Sequence, residues 1–261
     1  MFQFSVLASG SKGNCSVIRT DNTKILLDAG LSGKKIYQAI KKVNLKKEKI
    51  DALIVSHEHS DHVRGAGIVC RKLKIPLYIT KDTYFSVERK LGKLPMGLNF
   101  FNSNSKFLIN DIEIEAFNSS HDAIDSCNFI FKQKQQYDFK LGFITDLGYP
   151  SRLTLMKLKD VTSLVLESNH DEEMLLQGPY PWELKQRVRS KHGHLSNKQA
   201  KELLTKIDIS KLKNIVLAHL SEENNKPELA MKSIDCFLKD KKLDINVLIA
   251  SQRNSTPLID I

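Results

Sequence analysis

The sequence predicts an α/β protein in which two β-sheets lie face to face with helices on their outer sides. Three observations carry that reading. Short apolar runs alternate with stretches of helical periodicity along all 261 residues. No Gly/Ser/Pro-rich linker and no repeat of fixed period interrupts them, so residues 1–261 read as one domain. Polar residues recur where the expected strands end, at His57, His121, Asp146, Glu167 and His219. That is how distant segments assemble a site along one edge of a sheet sandwich.

The elements follow in order. Residues 2–8 read as a strand, and Ser9-Gly10-Ser11-Lys12-Gly13-Asn14 joins it to the next. Two glycines among small polar residues let backbone amides approach an anion closely. An ordinary hairpin connection has the same composition and is the reading favoured from the loop alone. Strands are expected at 15–19 and 24–28, the latter ending in Asp28-Ala29-Gly30, where Asp28 is read as orienting neighbouring loops. Ser32 to Val43 places Ile36, Ile40 and Val43 on one face and lysines on the other, which is a helix. A strand to Val55 precedes the cluster described below, and a helix from Val63 to Leu73 follows it. Gly65 and Gly67 inside that helix cost about 1 kcal/mol each relative to alanine, which implies close packing, against the loops of the site. A strand at 75–79 and a helix at 81–91 come next, and residues 93–104 are expected to be irregular. Hairpins cover 106–117, around Asn110-Asp111, and 127–145, with the polar tip Lys134-Gln135-Gln136. Beyond Ser151 the pattern gives a helix and a strand at 162–166. Two helical stretches follow, split by Gly178-Pro179-Tyr180-Pro181. A helix at 197–207, a strand at 214–218, a helix at 227–238 and a strand at 244–249 complete the pattern.

Composition bounds the rest. The chain is 41% hydrophobic and 27% charged, enough for one large core. No window approaches 18 consecutive apolar residues, so no membrane partner is expected. Met1-Phe2-Gln3-Phe4-Ser5-Val6 lacks the basic region and long apolar core of a signal peptide. Cys15, Cys70, Cys127 and Cys236 are dispersed without a C-x-x-C, so neither a disulfide framework nor a thiolate zinc site is indicated, and a reducing, cytoplasmic setting is expected. A formal charge of +10 and a pI of about 9.3 favour polyanions such as nucleic acid. The charge is mostly lysine, and a compositional bias spread over solvated faces explains it equally well.

The densest chemistry is Ser56-His57-Glu58-His59-Ser60-Asp61-His62, where four metal-competent side chains fall within six residues at a strand-to-helix junction. His57 and His59, two apart at a strand end, point to one side. Asp61 and His62 enter the first helical turn. A lone histidine is more often structural, but three with an aspartate in one loop define a metal site. Imidazole and carboxylate without thiolate suit zinc, and also manganese or iron. Seven candidates exceed the needs of one tetrahedral ion. Two divalent ions are therefore expected: His57, His59 and His121 on one, Asp61, His62 and His219 on the other, and Asp146 bridging. Such a pair lowers the pKa of a shared water towards neutrality, giving a hydroxide nucleophile from which Asp61 accepts a hydrogen bond.

His57-x-His59-x-Asp61-His62, followed by His121, Asp146 and His219 at later strand ends and preceded by Asp28, resembles the metallo-β-lactamase fold superfamily over the whole chain. The resemblance implies a four-layer αββα sandwich with a dinuclear site at one edge. Segments Glu167-Ser168-Asn169-His170 and Gly193-His194-Leu195-Ser196-Asn197 resemble those of tRNase Z-type phosphodiesterases, in which a glutamate orients a histidine that protonates the leaving oxygen. With Ser9–Asn14 and Tyr180-Pro181, they look most like the YycJ (WalJ) group, bacterial proteins similar to exonucleases acting on DNA from the 5′ end.

The resemblance implies catalytic roles for Asp61, His194 and Glu167, substrate contacts at Ser11, Asn14 and Asn169, and DNA as partner. His192 and His170 are weaker candidates. Lys185 to Lys191 reads equally as a phosphate contact and as a solvated helix. The rival readings are a thioester, lactone or lactam hydrolase of the same fold, a tRNase Z-like ribonuclease, and a metal-retaining, non-catalytic DNA-binding protein.

Overall fold

The computed structural model describes residues 1–45, 50–134 and 136–261. Gln135, in the expected hairpin tip, lies outside them. Two seven-stranded sheets form. The first runs β14 (Ile259–Asp260), β1 (Phe2–Ala8), β2 (Cys15–Thr20), β3 (Lys24–Leu27), β4 (Ala52–Ile54), β5 (Leu77–Thr80), β6 (Leu98–Phe101). The second runs β13 (Asn246–Ile249), β12 (Asn214–Ala218), β11 (Ser163–Glu167), β10 (Gln136–Ile144), β9 (Cys127–Gln133), β8 (Ile112–Asn118), β7 (Lys106–Ile109). Each sheet is part antiparallel and part parallel. β3 to β6 are parallel neighbours, and so are β10 to β13.

Strand periodicity makes the layers, because successive side chains point to opposite faces. In β4, Ala52 and Ile54 enter the core between the sheets, while Leu53 packs outward. In β12, Val216 and Ala218 face inward, and Ile215 and Leu217 outward. The central core gathers Phe4, Ile25, Phe129, Phe131 and Val165 from both sheets. The first outer core joins Leu26 and Leu53 to Ile36 and Ile40 of α1 (Gly33–Lys42), Val69 of α3 (Ala66–Leu73) and Val87 of α4 (Lys81–Leu91). The second joins Leu164 and Leu217 to Leu203 of α8 (Asn197–Lys206) and Ile234 of α9 (Pro227–Asp240). Each such fully buried aliphatic or aromatic side chain stabilises the fold by about 1.5–3 kcal/mol. The expected αββα architecture is therefore present.

Three local expectations need correction. The helix expected over 63–73 is broken into α2 (Ser60–Val63) and α3, with Gly65 between them. Gly65 N–H donates to Ala29 O at 2.7 Å, and a Cβ there would stand 2.1 Å from Leu31 O. The chain must touch the Asp28 loop at this point, and a continuous helix does not allow that. Gly67 meets Leu91 O of α4 with the same intolerance. Residues 93–104 are not wholly irregular: β6 adds in parallel to β5 at the sheet edge. Its half-exposed Leu98-Asn99-Phe100-Phe101 carries too little alternation to signal a strand. Finally, β14 pairs antiparallel with β1. A two-residue strand leaves no periodic signal.

Candidate metal centre

The parallel halves of both sheets end at one edge of the sandwich, the usual place for chemistry in parallel sheets. β4 ends just before His57. β8 leads to His121, β10 to Asp146 and β12 to His219, and β11 ends on Glu167 itself. Asp28, Asp146 and His219, each just past a strand, adopt left-handed backbone with φ of 61°, 54° and 56°. Non-glycine residues take this conformation at a cost, and it concentrates at functional sites. Here it turns each side chain sharply off its strand and into the centre.

Asp28 holds one corner. Ser56 N–H donates to its Oδ1 at 2.8 Å, and Ser56 Oγ–H and His62 Nδ1–H donate to its Oδ2 at 3.0 and 2.8 Å. This matches the orienting part read for it. With Nδ1 occupied, His62 turns Nε2 towards Asp61 Oδ2, 3.4 Å away, and Asp146 Oδ2, 3.3 Å away. His57 rests Nδ1 2.9 Å from Ser56 Oγ, and its buried Nε2 has no partner. His121 Nδ1–H donates to Gly193 O at 3.2 Å, and its Nε2 lies 3.2 Å from His59 Nδ1. His219 Nδ1–H donates to Glu167 Oε1 at 2.9 Å, and its buried Nε2, 3.6 Å from Asp61 Oδ2, makes no hydrogen bond among the described residues. In each case one ring nitrogen is fixed by the protein and the other is turned into the centre, where His62 Nε2 also lies 3.0 Å from Asn14 Nδ2; this is how histidines are presented to a metal.

Candidate ligand atoms within 4.8 Å of one another form the sets His57–His59–His121, Asp61–His62–His219, His57–His62–Asp146 and Asp146–Glu167–His194–His219. The first two are the groups expected from sequence, and Asp146 belongs to sets on both sides. The residues fit a cation. His57 Nε2, His219 Nε2 and Asp146 Oδ2 are buried together without hydrogen-bond partners, and each such atom costs about 1–3 kcal/mol unless something binds it. An all-imidazole and carboxylate set suits a borderline or hard divalent ion.

The site's fields pull in both directions. Burial, with His62, His121 and His59 nearby, holds the His57 imidazole well below its usual pKa. Burial also opposes charge on His62 and His219. The carboxylates of Asp146, Asp28 and Asp61 outweigh it at His62, and those of Asp146, Asp61 and Glu167 outweigh it at His219, so both are pushed up. Burial would raise Asp61, Asp146 and Glu167, but the surrounding histidines bring all three down.

Glu167 is fully buried and shares its carboxylate widely. Oε1 accepts from His194 Nδ1–H at 2.8 Å as well as from His219, and Oε2 accepts from Leu147 N–H at 2.9 Å and Leu195 N–H at 3.0 Å. His194 is thus held with its second nitrogen towards a cavity of about 220 Å³, which His59, Asp61, His121, Asp146 and His219 also line.

The other expected residues divide. Ser11 and Asn169 line that cavity. Asn169 Nδ2–H donates to His219 O at 2.8 Å, so it also braces the strand end. Asn14 does not line it. Its amide is buried, donating to Asp61 Oδ2 at 3.1 Å and accepting from Gly10 N–H at 2.9 Å. The structure therefore gives Asn14 to the loop and to Asp61 rather than to substrate. His192 is exposed, and His170 is buried away from the cavity lining.

One wall was legible in the sequence only in part, as Tyr180-Pro181 and the Lys185–Lys191 run. Tyr180 and α7 (Trp182–Arg189), through Leu184, Arg187 and Val188, close one side of the cavity. Arg187 pairs with Asp122 beside His121, and Val188 O accepts from His194 N–H at 2.9 Å. Asp122 directly follows His121 and could have been flagged by position. Nothing in the amphipathic pattern of α7 shows which face meets a cavity. Of the expected Lys185–Lys191 contacts, Arg187 lines the cavity, Lys185 Nζ instead donates to Leu176 O at 2.7 Å, and Lys191 sits 5.9 Å above the Tyr149 ring.

A double sheet with a histidine–aspartate centre at the carboxyl ends of its strands defines a metal-binding αββα protein. The chain belongs to the metallo-beta-lactamase superfamily, whose profile matches residues 8–115. It is 40% identical to the exodeoxyribonuclease YycJ of Bacillus anthracis over 91% of this chain and 89% of that one. It is 39% identical to the exodeoxyribonuclease WalJ of Streptococcus pneumoniae over 100% and 98%. Its fold is similar to that of the metallo-beta-lactamase fold protein YhfI from Bacillus subtilis, with a TM-score of 0.74 at 16% identity over 98% of this chain and 99% of that one.

Proposed function

We propose that the chain is a metal-dependent phosphodiesterase that removes nucleotides from the 5′ end of DNA, with residues 1–261 acting as one domain. The observation that carries the reading is the buried Glu167 carboxylate binding His194 and His219 at once. A general acid is needed where the leaving group is a poor one, such as the alkoxide of a sugar, and is dispensable for an activated ester. The exodeoxyribonuclease activity of the YycJ and WalJ relatives supports DNA as substrate.

We assign His57, His59 and His121 to one divalent ion and Asp61, His62 and His219 to a second, with Asp146 between them and zinc or manganese as the metal. Bound there, such ions polarise a phosphoryl oxygen and make a water nucleophilic near neutral pH. The rest is the work of side chains. Asp61 accepts a hydrogen bond from the attacking water. Glu167 fixes the His194 ring, and His194 gives its proton to the departing 3′ oxygen. Ser11 and Asn169 contact the phosphate. Arg187 and Tyr180 border the end nucleotide. The four unpaired cysteines, three of them buried, support a reducing, cytoplasmic setting.

The test is incubation with 5′- and 3′-labelled single- and double-stranded DNA and RNA in Mn²⁺ or Zn²⁺. Stepwise loss of DNA from the 5′ end is expected. Cleavage of a thioester or lactone with every nucleic acid left intact sinks the reading.

A further inference from the structure

A second cavity, about 780 Å³, lies between α1 and the chain at 252–255. It is lined by four cations, Lys35, Lys41, Lys42 and Arg253, and by no carboxylate among the described residues. The three lysines are exposed, and among the described residues none has an ion-pair partner. Like charges are not gathered around a concavity without cost, so an anion is the natural occupant. Lys35 and Lys41 are separated by about 9 Å along the helix axis. Successive phosphates of one strand of a duplex advance about 3.4 Å each, so the row spans two to three of them.

The cavity is joined to the metal centre. Gln252 and Arg253 also line an intervening cavity of about 430 Å³, whose Ser221 in turn lines the metal cavity. Gln252 is tied to the loop beside the centre: its Oε1 accepts from Lys12 N–H at 2.8 Å, and its Nε2–H donates to Gly13 O at 2.7 Å. Among the described residues, the acid that lines the intervening cavity, Glu222, is paired with Lys12 and lies 4.0 Å from Arg253, leaving the junction net positive. The three cavities thus adjoin in series, cationic at the far end and ending at the metal centre.

We propose that the groove between α1 and Gln252–Ser255 is a distal backbone-binding site, which holds the sugar–phosphate chain of the substrate beyond the nucleotides seated at the metal centre. The proposal rests on the nuclease reading for the identity of the polyanion. A concave path that leads into a cavity fits a strand, whereas a bilayer presents a flat surface.

The experiment compares the protein with the variant Lys35→Gln/Lys41→Gln/Lys42→Gln and, on a separate element, Arg253→Gln. All are metal-loaded and checked for unchanged thermal unfolding. Oligonucleotides of about three to about twenty nucleotides are used for cleavage, and their uncleavable phosphorothioate forms for binding by fluorescence anisotropy. For the unaltered protein, affinity should rise with length until the strand reaches the groove. In both variants the rise should be blunted, with affinity for the longest oligonucleotide falling about tenfold in the triple variant. The slope of log K against log salt should become shallower by roughly 0.7–0.9 per lost phosphate contact. Unchanged length dependence and salt slope in both variants overturn the proposal. So does loss of binding to phosphatidylserine vesicles with DNA binding intact, which assigns the groove to a membrane surface. Absence of cleavage at every length, with length-dependent binding still lost in the variants, removes the nuclease reading and keeps the groove.

Discussion

The two sheets supply the centre in different ways. The first delivers His57, His59, Asp61 and His62 from one loop after β4, as four of six consecutive residues. The second delivers His121, Asp146 and His219 singly, each from the end of a different strand. Local backbone geometry places the first group: an extended entry, then the single helical turn of α2. Sheet register places the second. Ile144 pairs with Leu166 and Glu167 with Ala218, so Asp146, Glu167 and His219 arrive level with one another. A motif can thus be written in adjacent residues or across the ends of separate strands, and the first form is the plainer in a linear pattern.

The largest expected effect tests whether the scattered half is as necessary as the compact one. Asp146→Ala and His57→Ala should each lower kcat/KM on DNA by about a thousandfold or more, because metal-ion stabilisation is worth several kcal/mol at 1.36 kcal/mol per decade. Elemental analysis should show reduced metal content in both. Full metal content and activity in Asp146→Ala would demote the second sheet to scaffold.

Legibility follows the same division. The layer order and most strands were readable because period-two burial on both faces leaves long apolar runs, as in β11 and β12. The compact loop was readable because four candidate ligands in six residues rarely arise otherwise. His121, Asp146 and His219 were readable as single polar residues recurring where expected strands end, a weaker signal that the resemblance to a family pattern reinforced. The Asn14 contacts were not legible: a polar residue in a glycine loop looks available for substrate, while its buried amide reaches Asp61 and His62. The α7 wall was legible only in part: Lys185–Lys191 was named, but none of the helix residues is buried, so nothing marks the face that meets the cavity.

The next effect lies wholly in the scattered half. His194→Ala should slow DNA hydrolysis by about 10²–10⁴-fold, the usual worth of a general acid. The same variant should hydrolyse a p-nitrophenyl phosphodiester nearly as well as the parent, since that leaving group departs without a proton. Equal losses on both substrates would assign His194 to holding the fold of the site instead.

Smaller still are the carboxylates that orient the ligands. Asp28→Asn, behind His62, should weaken metal binding by about 10–100-fold. Glu167→Gln should do the same and also reproduce part of the His194 defect, because one oxygen serves both rings. Competition with a chelator measures the first effect, and the ratio of DNA to p-nitrophenyl ester turnover the second. If both variants behave alike, the two halves are supported in the same way and the contrast drawn from Glu167 fails.

The smallest effect concerns His170, three residues past Glu167 and buried outside the cavity. Burial drives its pKa down to about 4, with Glu167 opposing and His194 assisting. The unfolded chain therefore takes up a proton between about pH 6.5 and 4 that the folded one refuses. Its contribution to stability is complete above about 6.5 and is lost as pH falls towards 4. The loss amounts to at most about 3 kcal/mol, from 1.36 kcal/mol per pKa unit. His170→Gln cannot titrate, so its unfolding free energy, from urea titrations at matched metal content, should fall less steeply over that window. Subtracting one protein's pH profile from the other's cancels the titration of the metal-facing histidines common to both. Identical slopes would mean that His170 is protonated in the folded protein. A histidine at a strand end of this edge would then be charged without facing the metal centre.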